Sequence, residues 1–169
     1  MSPARSADTP RLVFATRNAH KVAELEAIIA PLLPEGAGRI GRMSDFDVAE
    51  PVEDGASFEE NSLIKARSLC AATGIAALAD DSGLCVDIMG GAPGIFSARW
   101  SGAHGNDRAN LELLLAQLSD VPFHLRGAAF VSAAALVLPD GREFVELGRV
   151  DGHLTTAPQG EQGFGYDPI

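Results

Sequence analysis

The chain has 169 residues, is 46% hydrophobic and carries a formal net charge of −10, with 13 Lys and Arg against 23 Asp and Glu. That length and apolar content suit one globular domain with a real core, and no apolar run reaches the roughly eighteen residues that a membrane-spanning helix needs. The acidic balance argues against a nucleic-acid backbone as partner, because such binding needs a basic face that releases counterions; a small nucleotide remains open where local cations and a metal assist. Residues 1–10 are small, polar and Pro-containing and lack the apolar stretch of a secretory signal, so they read as a disordered extension on a cytoplasmic protein.

Residues 11–16, Arg-Leu-Val-Phe-Ala-Thr, read as a buried first strand. Helical period follows over 19–30 through Val22, Leu25, Ile28 and Ile29, with Pro31 and Pro34 as stops. A short strand is expected over 39–42, and the acidic stretch 45–55 reads as a long loop with the composition of a mobile flap. Ser57-Phe58-Glu59-Glu60 matches a capping box, and Leu63, Ile64, Ala66 and Leu69 carry a helix to about residue 73. A third strand is expected over 75–80. A third helix is expected over 107–118, with Asn106 or Asp107 as its cap. The Ala- and Val-rich run 126–138, turned by Pro139-Asp140-Gly141 into 143–150, predicts a β-hairpin. Strands separated by helices in the first half and paired directly in the second predict an α/β domain over 11–169 with a mixed sheet.

The most informative segment is Asp80-Asp81-Ser82-Gly83-Leu84. Two carboxylates at the end of an apolar strand, entering what reads as a Gly-rich turn, are costly unless a cation shares the site. Mg²⁺ fits, since it takes oxygen ligands and shares them with substrate phosphates; Glu53 and Glu59 or Glu60 are further acidic candidates. Adjacent strand residues face opposite ways, so Asp80 and Asp81 have different jobs, one on metal and the other taking a proton from water or buttressing the site. A solvated turn, with either aspartate capping Gly83, is the plain alternative.

Thr16-Arg17-Asn18-Ala19-His20-Lys21 lies where a strand meets a helix N-terminus, a place that attracts phosphate through backbone N–H groups. Without glycines it is no Walker A loop, and an ordinary Asn18 cap with a solvated Lys21 is the alternative. Among thirteen basic residues only Lys21 and Lys65 are lysines, which suggests positions that want a compact point charge. Gly163-Phe164-Gly165-Tyr166-Asp167-Pro168 interleaves aromatics with glycines and a carboxylate. It could stack a base on Phe164 or Tyr166 and read its edge with Asp167, or be a plain turn with core aromatics. Cys70 and Cys85 lack metal or Cys-x-x-Cys spacing and read as buried free thiols; the four histidines show no ligand spacing, and no Ser-His-Asp triad is visible.

Thr16-x-Asn18-x-x-Lys21, Glu53-x-Gly55, Phe58-x-x-Asn61 with Lys65-Ala66-Arg67, the segments 80–84 and 90–94, Ser97-Ala98-Arg99-Trp100-Ser101-Gly102 and 163–168 together resemble, in the right order, the inosine triphosphate pyrophosphatase family of Ham1 or RdgB-like enzymes. The resemblance implies hydrolysis of non-standard purine nucleoside triphosphates (ITP, dITP, XTP) to monophosphate and pyrophosphate, with Mg²⁺, as a homodimer. It implies a long mixed sheet with flanking helices forming two lobes around a nucleotide cleft. Carried over by position, Thr16, Arg17, Asn18, Ala19, His20 and Lys21 bind phosphates, and Asp81 is the catalytic proton acceptor and a metal-associated carboxylate. Glu53 is a second metal ligand with Asp80 in support, Ser82 touches substrate, and Lys65 is a phosphate or catalytic cation. Phe164, Gly165, Tyr166 and Asp167 form the base-binding loop. The family continues beyond this point with a Lys and a Ser-His-Arg motif, neither of which is present, so the resemblance reads the domain as incomplete at its C-terminus. The other readings are a degenerate nucleotide-binding relative without turnover and a Mg²⁺-dependent phosphatase that releases orthophosphate.

Overall fold

The computed structural model describes residues 10–32, 40–160 and 163–169; the expected N-terminal extension up to residue 9, the stop at Pro34 and the start of the second strand at Arg39 lie outside them. In chain order the regular elements are β1 (Leu12–Phe14), α1 (Ala19–Ile29), β2 (Ile40–Arg42), α2 (Phe58–Thr73), β3 (Ala76–Val86), α3 (Asp107–Gln117), β4 (Gly127–Val137) and β5 (Glu143–His153), with short 3₁₀ turns between them. The five strands form one sheet in the order β2-β1-β3-β4-β5. β1 runs parallel to both neighbours, with Val13 opposite Gly41 and Ala77. The β4–β5 connection turns at Gly141 (φ +88°) and is closed by the Leu138 N–H donating to the Arg142 carbonyl at 2.9 Å, so the sheet is mixed, as expected. Among the described residues no helix is long and apolar enough to cross a membrane.

Two compact units divide the chain, Met1–Asp80 with Ala133–Glu146, and Asp81–Ser132 with Leu147–Ile169. In the first, Val13, Ala77 and Ala79 from the strands meet Ala66, Leu69 and Cys70 of α2, all buried. α2 forms where the sequence signals it: the Ser57 side chain accepts from the Glu60 N–H at 3.2 Å, and Gly74 ends it in the left-handed region at φ +66°, a conformation that glycine adopts without a Cβ penalty. The box closes one residue earlier than the motif implies, because the Glu60 carboxylate accepts from the Ala56 N–H at 2.6 Å.

In the second unit, Leu84, Val86, Leu111, Leu114 and Leu118 form the core with Tyr166. Arg126 is only 1% exposed, and its guanidinium donates to the carbonyls of Leu118, Val121, Leu154 and Thr155 at 2.7–3.3 Å. A buried charge is tolerated when its donors are satisfied, here including the last turn of α3, where the helix dipole favours a cation. Nothing in the sequence pattern singles out this arginine beyond the β-prone run it begins.

One expectation is corrected. The sequence pattern predicts a third strand ending at Asp80 and a turn over 81–83, whereas β3 continues unbroken to Val86. Carboxylates and glycine are poor strand formers, and tertiary contacts override that weakness. A Cβ on Gly83 would sit 2.5 Å from Ser97 Oγ and closer still to the Gly94 carbonyl oxygen, so only glycine lets this loop close on the strand. Ser97 Oγ then accepts the Leu84 N–H at 2.9 Å, and Cys85 bridges to Pro93. The solvated-turn alternative falls with the turn.

Candidate functional site

The first unit holds two half-buried lysine–carboxylate pairs. Lys21, on the first turn of α1, donates to Asp80 Oδ2, the two side chains being 20% and 13% exposed. The reading of Lys21 as solvated therefore does not hold. Lys65, two turns into α2, lies 3.4 Å from Glu53 Oε2. Glu53 sits on the irregular stretch before α2, and that stretch is fixed by Asn61: its buried side-chain oxygen accepts the Gly55 N–H at 2.9 Å. A Cβ on Gly55 would come within 2.7 Å of the same oxygen, which accounts for glycine there. Arg17 ties a neighbouring part of the stretch, donating to the Val48 carbonyl at 2.9 Å and pairing with Glu50 at 3.3 Å.

Where phosphate binding was expected, Asn18 acts as the α1 N-cap. Its side-chain oxygen accepts from the His20 and Lys21 N–H groups at 3.0 and 3.4 Å, while Thr16 Oγ1 accepts from the Asn18 N–H at 3.2 Å. These two amides are thus already engaged by the cap.

Asp80 Oδ1 is buried and, among the described residues, has no hydrogen-bond partner. An orphaned anionic oxygen is expensive unless something positive completes it. The acidic side chains of this unit's two pairs, Asp80 and Glu53, are oxygen donors, a type that suits a hard cation rather than zinc. Among the described residues no group of three His, Cys, Asp or Glu side chains stands ready around one point. Mg²⁺ tolerates that, since it is commonly held by one or two carboxylates plus water and substrate phosphates.

In the second unit, Asp81 and Ser82 lie on β3, half-buried and exposed respectively. The loop over 163–168 is a tight turn: the Phe164 N–H donates to Asp167 Oδ2 at 2.8 Å, and the Asp167 N–H donates back to the Phe164 carbonyl at 3.1 Å. Gly163 is at φ +86°, where an added Cβ would run into the Asp167 carboxylate. Phe164 is half-buried and Asp167 exposed. Tyr166 is 6% exposed, packs in the unit's core and donates its hydroxyl to the Ser97 carbonyl at 2.9 Å. Of the two aromatics, its surroundings are those of a core side chain. Burial, followed by the nearby Asp107 charge, pushes its phenol up to about 12. Both cysteines are free; burial raises Cys70 and Cys85, and Cys85 is only half-buried.

The Ham1 family model matches residues 12–169. A dITP/XTP pyrophosphatase of Streptomyces avermitilis is 56% identical over 163 residues, covering 94% of this chain and 79% of that protein. One from Corynebacterium efficiens is 53% identical over 159 residues, covering 94% and 77%. Among solved structures, a nucleoside-triphosphatase / dITP/XTP pyrophosphatase from Mycobacterium abscessus is 52% identical with a TM-score of 0.78, covering 94% of this chain and 81% of that one. A HAM1 protein from Coxiella burnetii is 34% identical with a TM-score of 0.82, covering 94% and 79%. The carboxylate-bearing strand, the capped first helix and the turn over 163–168 thus lie within a match that runs almost the length of the chain, and the chain belongs to the Ham1 family.

Proposed function

We propose that this chain hydrolyses non-standard purine nucleoside triphosphates, dITP, ITP and XTP, to the nucleoside monophosphate and pyrophosphate. The observation that carries this is identity of 51–56% to proteins named dITP/XTP pyrophosphatase, across 94% of the chain. The residues present are suited to that chemistry. Water attacks the α-phosphorus and gives its proton to Asp81, the α–β anhydride bond breaks, and the pyrophosphate leaves with the bond electrons. Lys21 and Lys65, each paired with a carboxylate, are the point charges that would neutralise the phosphates as negative charge develops on the leaving group. Thr16, Arg17, Asn18, Ala19 and His20 supply the surrounding phosphate contacts, and Ser82 a further contact to substrate. Phe164, Gly165 and Asp167 meet the base, the half-buried Phe164 offering a stacking face.

Mg²⁺ is part of the proposal, with Asp80, Asp81 and Glu53 as the carboxylates that would hold it. Such an ion, when bound, offsets phosphate charge and polarises the scissile anhydride. The orphaned Asp80 Oδ1 supports the assignment. A homodimer in the cytoplasm belongs to the same reading, and sedimentation at twice the chain mass is the expected result.

Incubation with dITP, XTP, dATP and dGTP plus Mg²⁺, with product identification, tests the function. Equimolar pyrophosphate and monophosphate from dITP and XTP, with little from dATP or dGTP, is expected. Orthophosphate release would replace this reading with a phosphatase, and binding without products would replace it with a non-catalytic relative.

A further inference from the structure

We infer that Tyr166 is a positioning residue, whose hydroxyl fixes the 163–168 turn onto the strand that carries Asp81 and Ser82 through the backbone carbonyl of Ser97; this rests on the pyrophosphatase reading above. The sequence pattern offers Tyr166 as a second stacking aromatic. Its 6% exposure and its place in the core with Leu84 and Val86 leave no ring face for a base. What it has is one polar atom, donated to Ser97 O at 2.9 Å.

Ser97 is itself pinned to the strand. Its Oγ donates to the Gly94 carbonyl at 2.6 Å and accepts the Leu84 N–H at 2.9 Å, three residues beyond Asp81 on β3. Gly83 allows this approach, since any Cβ there would collide with both Ser97 and Gly94. The turn is internally stiff, with Phe164 and Asp167 bonded reciprocally and the Ile169 N–H donating to the Tyr166 carbonyl at 3.1 Å. A further tie is the Gln159 N–H to the Pro168 carbonyl at 2.7 Å, a link to an exposed segment. The Tyr166 hydroxyl is the polar tie between this stiff turn and Ser97, beside the packing of the ring itself, and its loss is read as a shift of the turn. Phe164 moves with it, and small misplacements of substrate-binding groups are costly in rate and selectivity.

The test compares wild type, Tyr166→Phe, Phe164→Ala and the double variant with dITP, XTP and dATP in the presence of Mg²⁺, reading kcat, KM and melting midpoint. Tyr166→Phe keeps the ring, so the core remains filled. The expected result is a KM for dITP raised about tenfold, kcat changed by less than about threefold, and the preference for dITP over dATP narrowed about tenfold. In the Phe164→Ala background the same substitution adds less than about threefold, because both act through one turn. A lowered melting midpoint with kcat, KM and base preference unchanged would overturn the inference, as would effects that multiply fully in the double variant. Absence of pyrophosphate from dITP in wild type overturns the functional reading instead. The anchor is then read from amide hydrogen exchange at Phe164 and Asp167, which Tyr166→Phe accelerates about tenfold or more if the hydroxyl holds the turn and leaves unchanged if it does not.

Discussion

Lys21→Met separates a structural ion pair from a solvated lysine. Methionine keeps the unbranched stem and removes the ammonium, so the change falls on Asp80, whose Oδ2 receives Lys21 and whose Oδ1 is buried with no partner among the described residues. Two unit charges 4 Å apart attract by about 4 kcal/mol at an effective dielectric near 20, and breaking a fully buried pair costs about 3–5 kcal/mol. The side chains here are 20% and 13% exposed, so water recovers part of that loss. We expect Lys21→Met to destabilise by about 2 kcal/mol in urea melts without Mg²⁺, followed by far-ultraviolet circular dichroism. Lys21→Met with Asp80→Leu removes both charges and should recover at least half of the loss, a coupling of about 1 kcal/mol or more. A Lys21→Met cost below about 0.5 kcal/mol, or strict additivity in the double variant, would refute the pairing as an energetic feature of the site.

Gly83→Ala should cost about 2–3 kcal/mol, because its Cβ would meet the Gly94 carbonyl and Ser97 Oγ, whereas Gly152→Ala, with nothing within 4 Å, should stay within about 0.5 kcal/mol. Equal urea midpoints for the two would contradict the close approach. Tyr166 is the sole tyrosine, so ultraviolet titration of tyrosinate reports it alone. Its folded value, near 12, lies above the ordinary value of about 10, so its contribution to stability is complete below about pH 10 and lost as pH rises through about 12. Ionisation at about pH 10 in protein that is still folded would show that the phenol is not buried.

Local signals made α2 legible: Ser57 caps it, Gly74 ends it, and Ala66 and Leu69 face the core. The hairpin was legible for the same reason, since Pro139-Asp140-Gly141 interrupts two long β-prone runs. β3 was readable only to Asp80, because nothing local in Asp-Asp-Ser-Gly favours a strand; its continuation depends on Gly94 and Ser97, which lie eleven or more residues beyond Gly83. Asp80 and Asp81 were found as a pair, and their alternation along a strand follows from the pleat. That Lys21 closes on Asp80, 59 residues away, is tertiary information no spacing carries. The turn over 163–168 shows the same limit. Phe164 and Tyr166 sit in near-identical sequence surroundings, and only burial separates the half-exposed ring from the core one.

In the proposed reaction Asp81 removes the proton from water while the other named residues hold the nucleotide. Single-turnover hydrolysis of dITP by Asp81→Asn, measured beside its nucleotide affinity, separates proton removal from binding. The expected rate is lower by about 10²–10⁴-fold, with affinity within about threefold of wild type. A near wild-type rate of pyrophosphate release in that variant would contradict it.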